Sequence, residues 1–138
     1  MLDTTTSEFV LDTAHFAAGG CDPLDFAQRH GDRVGLVHLK DLRHSVAEDL
    51  NAGKLTLLEA VQAGIFQPLG RGDLPIADVV VTLESSGYDD WYVLEQDVAL
   101  TNGVPPRGSG PIEQIELSLD YLRTLEAEQL VGPGGESR

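Results

Sequence analysis

What most constrains this chain is a threefold pattern: a short apolar run that closes on a side chain able to bind metal, followed by a helical stretch. The runs are Phe9-Val10-Leu11-Asp12, Val34-Gly35-Leu36-Val37-His38 and Trp91-Tyr92-Val93-Leu94-Glu95. Continuous apolarity up to the closing residue predicts strands buried on both faces. Asp22 before Pro23 predicts a helix start, with Leu24 and Ala27 on its apolar face and Gly31 at its end. Further helices are predicted over 56–63 before Gly64, over 75–86 before Gly87, and after Pro111. The last would carry Ile112, Ile115, Leu119, Leu122 and Leu125 as its apolar stripe. Strand then helix, three times over, describes α/β architecture with a parallel sheet under helices, either a layer or part of a barrel.

Three parallel strands make a poor free-standing sheet. Both edges expose unpaired backbone, and one face has nothing to pack against. With 138 residues, 41% of them hydrophobic, the chain has material for one modest core. Residues 1–128 are expected to form one domain. Residues 129–138, including Gly132-Pro133-Gly134-Gly135, are expected to be a disordered tail.

Nine basic against 23 acidic side chains leave a net charge of −14, which repels phosphates and anionic headgroups and argues against nucleic-acid and membrane partners. Apolar runs such as Val79-Val80-Val81 fall far short of the roughly 20 residues of a membrane span. With no secretory signal pattern at the N-terminus, a cytoplasmic location is expected. The single cysteine, Cys21, has neither a disulfide partner nor a neighbouring thiolate.

Parallel α/β folds build their sites at the C-terminal ends of strands, which is where Asp12, His38 and Glu95 stand. Two carboxylates and an imidazole suit Mn²⁺, Co²⁺, Mg²⁺, Fe²⁺ or Zn²⁺ in a site that keeps a position open. His15, three residues after Asp12, is placed to hydrogen-bond a substrate hydroxyl or a water. In His38-Leu39-Lys40-Asp41-Leu42-Arg43, Lys40 offers a cation to a carbonyl or hydroxyl oxygen and Asp41 a carboxylate to orient its neighbours. Pro68-Leu69-Gly70-Arg71-Gly72-Asp73 reads as a shaped loop near a ligand, with the wrong spacing for a phosphate cradle. Gly-x-Ser-x-Gly and His-Glu-x-x-His are absent from the sequence, which weakens hydrolase readings.

At these residues the chain resembles the sugar phosphate isomerase/epimerase family, the xylose isomerase-like TIM barrels, and within it the inosose dehydratase-like members. The likeness runs over about residues 1–125, in family order: Asp12 to His15, Gly20-Cys21-Asp22-Pro23, Gly31-Asp32-Arg33, His38-Leu39-Lys40-Asp41, Gly64-Ile65-Phe66, Pro68 to Gly72, Gly87-Tyr88-Asp89 and Glu95-Gln96-Asp97. The resemblance implies a partial TIM barrel, the last three βα units, with strands six to eight of eight. It implies Asp12, His38 and Glu95 as ligands of a divalent metal, Glu95 also as acid/base, and His15 and Arg43 as substrate contacts. The implied chemistry is isomerisation, epimerisation or dehydration of a sugar or cyclitol. The family's first five strands and a fourth ligand, a Glu on strand five, would lie before Met1. A homo-oligomer, or a partner chain completing the barrel, is therefore expected. A truncated, non-catalytic interaction module is the alternative, and a non-haem iron oxygenase is disfavoured by the strand-helix alternation. Ala14 stands where the family has glycine, a departure that matters only if the position needs positive φ.

Overall fold

A computed structural model of the protein describes residues 7–130. Strands β1 (Phe9–Asp12), β2 (Val34–Leu39) and β5 (Tyr92–Leu94) form a parallel sheet in the order β1-β2-β5. Val10 is in register with Leu36, Asp12 with His38, and His38 in turn with Val93. Glu95 falls one residue past β5, yet its N–H still bonds Leu39 O at 3.2 Å, so the strand geometry carries through to it. Among the described residues this sheet does not close into a barrel.

Because strand side chains alternate, each strand presents one set to the helices and the other away from them. Leu11, Val37 and Leu39 are buried on the helix side. They share a core with Ala27 of α2 (Pro23–His30) and with Ile76, Val79, Val80 and Leu83 of α5 (Ile76–Ser85). The spacing of those four α5 residues is that of one helix face. On the opposite side of the sheet Val10 is 54% exposed, Val93 38% exposed and Leu36 half-buried. Asp12, His38 and Glu95 follow them at two-residue steps and share that side.

The start of α2 follows its sequence signal: Asp22 accepts from the N–H groups of Leu24 and Asp25, and Pro23 opens the first turn. Between β2 and α5 run β3 (Asp41–Leu42), α3 (His44–Asn51), α4 (Leu57–Gln62) and β4 (Phe66–Gln67), with β3 and β4 paired antiparallel. Four elements were not foreseen: β3, β4, α3 and α1 (Thr13–Ala18).

The long helix α6 (Pro111–Leu130) reaches two residues into the stretch expected to be tail, and residues 131–138 lie outside the described ones. Its buried side matches the expected stripe in part: Ile115, Leu122 and Leu125 are half-buried, while Ile112 and Leu119 are left 43% and 37% exposed. Among its described side chains Ser118 is the most buried, with Tyr121 and Leu122 packed on the core. A polar contact accompanies this docking. Ser118 Oγ accepts from Leu69 N at 3.0 Å, and the Tyr121 ring fills the space where a side chain at Gly70 (φ +73°) would stand. No helix among the described residues is long and apolar enough to cross a membrane.

Candidate metal centre

One ligand atom each from Asp12, His38 and Glu95 lie within 4.8 Å of one another. His38 Nδ1 is 2.7 Å from Glu95 Oε2 and 3.8 Å from Asp12 Oδ2. The convergence follows from register: Asp12 and His38 are direct neighbours across β1 and β2, and Glu95 reaches the same place from the end of β5. All three are partly buried, open to one side. Two oxygen anions and an imidazole nitrogen, with no thiolate, fit a hard-to-borderline divalent cation.

Asp12 has a second task that the sequence reading missed. It is the N-cap of α1, where Oδ1 accepts from His15 N at 2.8 Å, while Oδ2 is 2.7 Å from His15 Nδ1. The signal was present as an Asp followed by a short stretch that ends at Gly19-Gly20. One carboxylate thus ties His15 beside the cluster, exposed, with its ring edge on Phe66 at 5.7 Å between centroids. Ala14 is helical and fully buried, and no non-glycine residue among those described has positive φ, so this departure from the family pattern costs the turn nothing.

Thr13 is a further residue without a role in the sequence reading. Its buried Oγ1 donates to Lys40 O at 2.6 Å and accepts from Lys40 N at 3.0 Å, clamping the end of β2 to the start of α1. Glu95 carries two bonds: Oε2 to His38 and Oε1 to Lys40 Nζ at 2.6 Å. The Lys40 bond is the main cause holding the Glu95 carboxyl below its ordinary value, so it stands ionised.

Lys40 was expected to face substrate, but its side chain is fully buried. Burial works against its charge. Asp97, Glu95 and Asp12 outweigh it and raise the ammonium above its ordinary value. Asp41 makes no bond to His38 or Lys40 among the described contacts. Its carboxylate accepts from the N–H groups of Leu42, Gly70, Gly72 and Leu74, and so it organises the glycine loop. The ligand that loop was shaped around is the protein's own aspartate: a side chain at Gly72 would collide with Asp41 and with Leu42 O. Arg43 is exposed as the N-cap residue of α3, and no contact among the described residues joins it to the cluster.

The fold and the strand-end cluster agree with the sequence comparison, in which residues 2–134 match the family described as xylose isomerase-like TIM barrel. This chain belongs to that family. It is similar to the inosose dehydratase of Geobacillus thermodenitrificans (strain NG80-2), with 36% identity over 123 residues, covering 88% of this chain and 39% of the relative. The inosose dehydratase of Mesomycoplasma hyopneumoniae (strain 7448) is 34% identical over 129 residues, covering 91% of the chain and 41% of that protein. The chain therefore spans about two fifths of the length of these curated relatives.

Proposed function

We propose that this chain provides three ligands of a divalent-metal active site that acts on a sugar or cyclitol, with an inosose dehydration as the leading reaction. The convergence of Asp12, His38 and Glu95 at the C-terminal ends of adjacent parallel strands carries the reading. On this reading the strands are the sixth to eighth of a barrel, and the metal is Mn²⁺, Co²⁺, Mg²⁺, Fe²⁺ or Zn²⁺.

A bound ion of this class polarises a ketone and its neighbouring hydroxyl, making the adjacent C–H acidic. The chain's own groups then divide the work. His15, held at Nδ1 by Asp12, offers its other ring nitrogen to a substrate hydroxyl. Glu95 is ionised and has both oxygens engaged, so it serves first as ligand and second as base. Arg43, exposed directly after β3, is assigned a contact with a substrate oxygen by family likeness alone.

The test is incubation of the chain with an inosose and Mn²⁺, following loss of water by NMR. Metal-dependent turnover that disappears in Glu95→Gln supports the proposal. Metal binding without turnover would favour the second reading, a non-catalytic module, which the open sheet of the described residues allows.

A further inference from the structure

Lys40 is a buried charge with two anionic partners. Its side chain is fully buried at the end of β2, and its Nζ has three neighbours: Glu95 Oε1 at 2.6 Å, Asp97 Oδ2 at 2.8 Å, and the Phe66 ring with its centroid at 4.6 Å. Two anions and an aromatic face account for the donors and the charge of an ammonium, so nothing is left over for a substrate. What the arrangement does govern is Glu95. A carboxylate beside a metal can bind through one oxygen or two, and the choice sets how many positions stay open. Here Oε1 is held by Lys40, and Oε2 faces His38 Nδ1.

Resting on the metal-centre reading above, we propose that Lys40 is a positioning residue: its ammonium occupies Glu95 Oε1, so that Oε2 is the single Glu95 oxygen offered to the ion. Asp97 and Phe66 fix the ammonium in turn. Asp97 acts from the rim, with its side chain about half exposed, and Phe66 from β4, where it also touches the His15 ring. This also explains why a cation sits beside a cation site at all. Alone it would repel the ion, and paired with Asp97 its charge is offset while its geometry is kept.

The test uses the full chain and Co²⁺ alone, read by calorimetry and by the visible absorption of the bound ion. Wild type, Lys40→Met, Asp97→Asn and His38→Ala are compared. Lys40→Met is expected to bind Co²⁺ on the order of 10- to 100-fold more weakly, with an altered absorption band, as the loss of a ligand's supporting partner does. The direction discriminates, because removing a nearby cation would by charge alone tighten binding. Unchanged or tighter binding with an unchanged band would overturn the proposal even if stability falls. Should Lys40→Met fail to fold, Asp97→Asn, which leaves the buried stem of Lys40 intact, is expected to alter the band and weaken binding by a smaller factor; a wild-type band and affinity there would overturn it equally. Wild-type protein that takes up no Co²⁺, or takes it up as well in His38→Ala, would remove the metal-centre reading and this proposal with it.

Discussion

At the scale of single residues, the site is built from side chains that each do two things. Asp12 caps α1 and faces the cluster, Thr13 satisfies both backbone groups of Lys40, and Glu95 joins His38 to Lys40. Asp41 is the clearest case of a polar residue whose role is structural. It gathers four backbone N–H groups from two segments, and those bonds offset the burial that pushes its carboxyl above the ordinary value. Asn at this position keeps one acceptor oxygen and turns an N–H₂ donor toward two N–H donors. Asp41→Asn is therefore expected to destabilise the fold by about 2–4 kcal/mol, the cost of stranding buried donors. A urea midpoint equal to wild type would contradict this role.

At the scale of elements, helix signals were read well where a cap announced them. The start of α4 is closed by a capping box in which Glu59 and Thr56 bond each other's backbone N–H. The bonds that the Glu59 carboxylate accepts from Thr56 N and Thr56 Oγ1 hold it below its ordinary value. A lowered folded value means that the stabilisation is complete above the unfolded value and is lost as pH falls through the folded one. The stability difference between wild type and Glu59→Ala is expected at neutral pH and should shrink as the solution is acidified past that point. A difference that grows on acidification would contradict the capping role. The strands were legible because three apolar runs have no amphipathic period, and their closing residues were legible because a strand's end is where polarity returns. Helix α1 and the β3–β4 pair were not, because six- and two-residue elements carry too little pattern of their own. The side of α6 was legible in part: Ile115, Leu122 and Leu125 are half-buried as expected, whereas Ser118, whose hydroxyl makes the docking bond, gave no hydrophobic signal. Lys40 was misread for a related reason: its spacing shows where it starts, while Glu95 and Asp97, 55 and 57 residues on, decide where its ammonium ends.

At the scale of the whole molecule, the decisive feature is a sheet that, among the described residues, has one face covered by helices and one bare of them. Val10, Leu36 and Val93 lie on the side opposite the helices, in line with Asp12, His38 and Glu95. An apolar sheet face open to water favours association. The chain studied alone is expected to self-associate, with light scattering across a dilution series showing a dimer or larger species. Val10→Lys is expected to shift that series toward monomer, and a compact monomer at every concentration would contradict the argument from the bare face. The same face carries the functional reading, since alternation along three parallel strands brings Asp12, His38 and Glu95 to one point. That convergence is tested most directly by titrating the metal-stripped chain with Mn²⁺ in a calorimeter, beside Asp12→Asn, His38→Ala and Glu95→Gln. The expected result is one ion per chain in wild type and, in each variant, binding weakened by on the order of 100-fold, about 2.7 kcal/mol. An absence of uptake, or uptake that all three substitutions leave unchanged, would contradict the metal centre.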